Sequence, residues 1–305
     1  RIWIRIGPMS FQPAELSKVL LAVFFASYLV ANRDNLALAG RKVLWMSLPR
    51  ARHLGPLFIV WGVSICVLVL QKDLGSSVLL FGLFVVVLYV ATDRPSWLLI
   101  GAALFLPAAW FAATHLNHVQ QRINGWLHAT DNAVYNAAGG SWQLLTGMFG
   151  MSTGGLMGAG WGKGSPTLVT FANSDFIFAS LGEELGLTGT LVLLMLYLVL
   201  IQRGLRTAVL LRDGFGKLLA VGLSFAIALQ VFVVVGGVTR LIPLTGLTTP
   251  FLAYGGSPLV AHWSILAPRL WFSDAPPPPL TPPPRPIRPP RPPPPHPRAR
   301  RHPPT

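Results

Sequence analysis

Residues 139–190 read GGSWQLLTGMFGMSTGGLMGAGWGKGSPTLVTFANSDFIFASLGEELGLTGT, a polar, glycine-rich stretch that carries Lys163, Asp175, Glu183 and Glu184. Four strongly apolar segments precede it and three follow. Such an insert between hydrophobic spans is where a membrane protein can do chemistry in water. The stretch is therefore the candidate active site.

The composition around it sets the class. Hydrophobic residues make up 52 % of the 305 and charged residues 11 %, whereas a soluble domain carries about 25 % charged residues. A spanning helix needs about 20 mostly apolar residues, and seven segments approach that length: 14–31, 54–71, 74–91, 97–114, 185–202, 217–238 and 253–272. Gln71, Lys72 and Asp73 alone separate the second and third, which predicts a tight helical hairpin. The expected fold is an all-α polytopic membrane protein with about seven transmembrane helices and a large extracytoplasmic loop over about 115–184. Pro268 is expected to interrupt the last span.

Charge gives the orientation. Arg33, Arg41, Lys42, Arg50, Arg52, Arg94, Arg203, Arg206, Arg212 and Lys217 fall in one set of alternate loops. Lys72, Arg122, Lys163 and Arg240 fall in the other. The richer set belongs in the cytoplasm by the positive-inside rule, which puts the long insert and Asp175 outside. Arg1 and Arg5 disagree mildly, and the chain opens on Arg1 without an apolar lead, so upstream spans are expected to be missing. The formal charge of +14 lies largely in these loops and in the C-terminal tail, a distribution that argues against nucleic acid. Residues 275–305 are a Pro/Arg-rich cytoplasmic tail, seventeen prolines and six arginines from position 276 on. It cannot pack a core and is expected to be disordered with polyproline II character.

The candidate site residues each carry two readings. Glu15 and Lys18, i and i+3 on a helix that opens at Pro13, are either a local ion pair or the lining of a polar groove at membrane depth. Asp73 has the same alternatives. Asp175 is either an N-cap for the helix that follows or a general base whose pKa the neighbouring rings raise. The glycine run 154–164 with Lys163 resembles a phosphate-cradling loop only loosely, though backbone amides beside a lipid pyrophosphate would suit it. His115 and His118 lack further ligands at zinc-site spacing. Cys66 is single, so no intrachain disulfide can form.

Four motifs in order, FQPAELSK (11–18), QKDLGSSV (71–78), NSDFIFASLGEELGLTG (173–189) and PLTGLTTPFLAYGGSPL (243–259), resemble the shape, elongation, division and sporulation (SEDS) family of bacterial cell-wall glycosyltransferases, the RodA and FtsW proteins. Lys72 and Pro258 depart from its usual proline and serine. The resemblance implies ten spans in the bacterial cytoplasmic membrane, of which this chain would hold the last seven. It also implies polymerisation of lipid II into glycan strands with inversion, in elongation or division, beside a class B penicillin-binding protein and other elongasome or divisome membrane proteins. By the same resemblance Asp175 matches the catalytic acid, and Glu15, Lys18 and Asp73 match polar motif positions. The departing pyrophosphate would be stabilised by Lys18, Arg122 or Lys163, or by a divalent cation such as Mg or Mn held by lipid phosphates. A lipid II flippase or a non-enzymatic scaffold of the same machinery is the alternative.

Overall fold

The computed structural model describes residues 4–6, 9–32, 41–43, 46–48, 51–70 and 73–274. The Pro/Arg-rich tail and Lys72 lie outside the described residues. Among the described residues ten α-helices follow one another: α1 (Pro13–Ala31), α2 (Ala51–Leu70), α3 (Leu74–Thr92), α4 (Ser96–His115), α5 (Asn117–Leu127), α6 (Asn132–Tyr135), α7 (Trp142–Gly154), α8 (Ile177–Leu210), α9 (Gly214–Val238) and α10 (Gly256–Asp274). The chain is thus a helical membrane protein, as its composition requires. Among the described residues, five helices (α1, α3, α4, α8 and α9) are long and apolar enough to cross a bilayer. The other two expected spans coincide with α2 and α10, each about 30 Å long at 1.5 Å per residue.

Two short antiparallel hairpins accompany the helices, β1 (Ile4–Ile6) with β2 (Met9–Phe11) and β3 (Arg41–Val43) with β4 (Met46–Leu48). The apolar periodicity that reveals spans carries no signal for three-residue strands. Pro268 does not end the last helix, which runs on to Asp274.

The core explains which helix holds the others. Phe25 and Leu29 of α1, Leu80, Leu83 and Leu88 of α3, Leu223 and Ile227 of α9, and Ile265 of α10 are almost wholly buried in one cluster. α9 packs against α8, α3 and α1. Local chemistry sets the helix starts: Pro13 occupies the first turn of α1. Asp73 caps α3 by accepting from the Ser76 amide at 3.0 Å, and Asp213 caps α9 by accepting from Gly216 at 2.8 Å.

The polar insert is more helical than the sequence suggested. It contains α5, α6 and α7, and α8 begins at Ile177, before the span expected at 185. α8 is broken at Gly186, whose φ of 67° and ψ of −169° leave the helical region. A straight helix would bond Leu187 and Thr188 to the carbonyls of Glu183 and Glu184. Instead, Leu187 donates to Gly155 O at 2.9 Å and Thr188 to Leu156 O at 3.1 Å. The freed carbonyls of Glu183 and Glu184 accept from Ala159 at 2.9 Å and Gly160 at 3.0 Å.

This exchange accounts for the glycine run. A Cβ on Gly158, at φ 85°, would lie 2.1 Å from the Glu184 carbonyl oxygen, and one on Gly186 would lie 2.3 Å from the Gly158 amide. Both obstacles are backbone and cannot swing aside. The glycines therefore serve close backbone approach, and the amides of Ala159 and Gly160 are already engaged, which corrects the phosphate-cradle reading.

A pair of substitutions separates approach from strain. Gly158→Ala should destabilise the detergent-solubilised protein by about 3 kcal/mol, combining overpacking with left-handed strain. Gly155→Ala, at φ 54° with open space around it, should cost only about 1–2 kcal/mol. Thermal melts of the two variants check this, and equal losses would contradict it.

Candidate active site

Two polar groups form where helix ends meet. The deeper one is built on Lys18, one turn into α1. Its ammonium is ion-paired to Glu15, donates to Gln230 Oε1 of α9 at 2.6 Å, and lies 3.3 Å from His262 Nε2 of α10. All four side chains are at most 3 % exposed. A neutral imidazole protonated on Nδ1 presents Nε2 as an acceptor to Lys18. Lys18 has three N–H donors and three acceptors, from α1, α9 and α10. Its charge ties three spans together, which argues for a structural part rather than the expected one in stabilising pyrophosphate.

Gln230 and His262 were not singled out from the sequence. Their signal in the sequence is a long polar side chain set within a mainly apolar run, in IALQVF and LVAHWS. Nothing in the chain order shows that they meet Lys18, 212 and 244 positions away.

Gln230 also fixes the segment that joins α9 to α10. Its amide donates to Thr248 O at 2.8 Å, Tyr197 of α8 donates to Pro250 O, and Leu247 to Pro250 are buried. PLTGLTTPF is therefore irregular backbone that dips into the bundle, a conformation tolerated at membrane depth only when protein encloses it. The same segment is tied to the neighbouring helix starts. Gln12 N donates to Ser257 Oγ at 3.0 Å, and Tyr254 N donates to Asn173 O at 2.8 Å.

The second group lies at this mouth and joins three of the predicted residues. Arg122 of α5 donates to Leu244 O at 2.6 Å and interacts electrostatically with both Asp73, at the start of α3, and Asp175, just ahead of α8. Burial pulls the Arg122 pKa down from its ordinary value, while Asp73 and then Asp175 pull it up. It remains a cation. Asp73 is an N-cap, a part that neither of its expected readings contained: it accepts from Ser76 N and, at 2.9 Å, from Ser76 Oγ, within electrostatic reach of Arg122.

Asp175 is not the N-cap of α8. That place falls to Phe176, which makes no side-chain cap, and Asp175 Oδ1 instead accepts from Ser174 Oγ at 2.8 Å. Desolvation raises its pKa above the ordinary carboxylate value. The Ser174 hydroxyl, its own backbone amide and Arg122 oppose the rise. A half-buried carboxylate of raised pKa, oriented by a hydroxyl and facing a cation, has the make-up of a general base. Lys163, by contrast, is an exposed side chain whose stem lies against Gly160. Glu183 is occupied in accepting from Ser165 N at 2.9 Å.

Among the described residues, no group of three or more His, Cys, Asp or Glu side chains is arranged to hold a metal ion. Asp73, Asp175 and Arg122 are the charged side chains that this mouth brings together.

Residues 1–267 match the family described as cell cycle protein, FtsW/RodA/SpoVE. Peptidoglycan glycosyltransferase RodA of Mycobacterium tuberculosis is 50 % identical over 267 residues, covering 88 % of this chain and 56 % of that protein. Probable peptidoglycan glycosyltransferase FtsW of Geobacter metallireducens is 32 % identical over 260 residues, covering 85 % and 65 %. The chain thus spans little more than half the length of the mycobacterial relative. Among solved structures, a peptidoglycan synthase complex described as coordinating polymerization and crosslinking is similar at TM-score 0.66 and 26 % identity, covering 90 % of this chain and 73 % of that one. The rod shape determining protein RodA of Thermus thermophilus shares the fold at TM-score 0.56 and 24 % identity, covering 90 % and 69 %. A family match over nearly the whole described bundle, and relatives at 50 % and 32 % identity, show that the chain belongs to the FtsW/RodA/SpoVE family.

Proposed function

We propose that this chain is a peptidoglycan glycosyltransferase that polymerises lipid II, with Asp175 as the general base. One observation carries the reading: Asp175 is half-buried, free of the helix cap, held by Ser174 and within electrostatic reach of Arg122. The relatives named for this activity support it. In the reaction the acceptor sugar's 4-hydroxyl gives its proton to Asp175 while its oxygen attacks the donor's anomeric carbon. The bond from that carbon to the polyprenyl pyrophosphate breaks on the opposite face. Inversion needs one base and no protein nucleophile.

Arg122 supplies the positive charge for the pyrophosphate. Only one of its N–H groups is committed to Leu244, and a guanidinium fork matches phosphate oxygens. Lys18 is saturated, and its part is structural. The positive-inside count supports an extracytoplasmic position for this mouth, and the family's relatives support the bacterial cytoplasmic membrane as its location. The likeness to a synthase complex that coordinates polymerization and crosslinking supports a class B penicillin-binding protein as the cross-linking partner. Any divalent cation would arrive on the lipid phosphates.

Purified protein given lipid II in detergent tests the base. Asp175→Asn should lose about 10²–10⁴-fold in polymer formation while keeping its melting temperature. Polymer at the wild-type rate would sink the assignment, and lipid movement across vesicles without any polymer would favour the flippase.

The pH profile follows from the shift. Asp175 must be ionised to act, so activity should rise with pH through a midpoint above the ordinary carboxylate range. The Ser174 hydrogen bond favours the charged form, so Ser174→Ala should move the acid limb to higher pH. A limb that stays put or moves down contradicts this.

Two cations can be told apart in the same assay. Arg122→Gln should lower kcat/KM in a protein that still folds. Lys18→Met should instead destabilise the fold by about 3–5 kcal/mol, because it strands the buried Glu15 charge. The reverse pattern would return the pyrophosphate role to Lys18.

A further inference from the structure

Arg240 stands where a glycine would be expected. The close of α9 is a Schellman turn: Leu241 N bonds Gly236 O at 2.8 Å, and Arg240 N bonds Gly237 O at 3.3 Å. The residue between these bonds must be left-handed, and Arg240 has φ 61°. Glycine takes that conformation without strain, whereas a side chain does not. Strain of this kind persists where the side chain does something in return.

What Arg240 does is visible in its partners. Its Nε donates to Trp126 O at 2.8 Å and its Nη2 to Leu127 O at 3.1 Å. These are carbonyls of the last turn of α5, which has no further helical amides to bond them. In return, Trp126 Nε1 donates to the Arg240 carbonyl at 2.9 Å. Trp126 lies four residues after Arg122 and shares its helix face. Two side chains of that face, Arg122 and Trp126, thus dock on the α9–α10 connection, at Leu244 and at Arg240.

The geometry points to Arg240 as a positioning residue: by clamping the end of α5 to the end of α9, it sets where the Arg122 guanidinium stands relative to Asp175 and Asp73. The inference rests on the roles given to Asp175 and Arg122 above. Arg240 touches no reacting atom and acts only through Arg122. Its place among the sparse basic residues of this end of the bundle then has a cause other than membrane orientation.

Arg240→Gly is the informative variant, because glycine suits the turn while removing the clamp. In the full chain with lipid II, kcat/KM should fall by about 10- to 100-fold, the cost of a misplaced group near the chemistry, with no loss of melting temperature. Arg240→Lys, which keeps the charge and a donor, should recover part of it. In an Arg122→Gln background, Arg240→Gly should add less than about twofold, as expected for residues acting in series.

A second readout does not need glycosyl transfer. The charged groups facing this cluster are Arg122 from α5, Asp175 ahead of α8 and Asp73 at the start of α3, with Ser174 as a neutral donor. Carbodiimide labelling of Asp175 against pH, read by mass spectrometry, should show its titration midpoint rising in Arg240→Gly as Arg122 drifts away. That result would stand even if the chain proved not to polymerise lipid II. Wild-type turnover with an unmoved midpoint would overturn the proposal. So would a loss of activity that merely tracks loss of folded protein, or full additivity with Arg122→Gln.

Discussion

An ammonium ion buried among apolar helices must have every N–H satisfied or leave, and Lys18 stays because three spans each bring it one acceptor. Glu15, Gln230 and His262 belong to α1, α9 and α10, so the charge acts as a rivet between elements far apart in the chain. Hydrophobic packing alone would not fix their register, since lipid tails are as apolar as leucine. The rivet reaches further through Gln230, whose amide holds Thr248. That bond keeps the segment between α9 and α10 inside the bundle, where it offers Leu244 to Arg122. Buried polarity here therefore builds the floor on which the mouth of the site rests.

The mouth itself is assembled from ends. Asp73 opens α3, Asp175 precedes α8, Arg122 sits on the short α5, and Asn173 is stitched to Tyr254 ahead of α10. Helix ends are where backbone groups lack partners, which makes them suitable places for side chains that must bind and release. The break at Gly186 serves the same purpose on α8. It detaches the first helical turns, next to Asp175, from the long apolar span and fastens each side of the break to the 155–160 loop by two backbone bonds.

Much of this was legible in the residues. Apolar runs gave the helices, Pro13 gave the start of α1, and Glu15 with Lys18 read as an i, i+3 pair because that spacing is local. Asp175 stood out as an isolated acid among rings, and its environment has the raised pKa that such a setting implies. The partners of Lys18 were illegible because they are defined only by how spans pack. The glycines of 154–164 suggested phosphate, since composition cannot distinguish a loop that must approach a ligand from one that must approach its own backbone. Arg240 looked like an orientation signal for a related reason: a sequence shows charge, while a left-handed turn around an arginine appears only in three dimensions.

The central claim is that a single carboxylate removes the acceptor proton, and chemical rescue addresses it most directly. Asp175→Ala leaves a space where a small acid can stand in for the missing group. Glycan polymerisation by this variant should be nearly absent in buffer and restored in proportion to added formate. A variant that polymerises as fast without formate as with it would contradict the account.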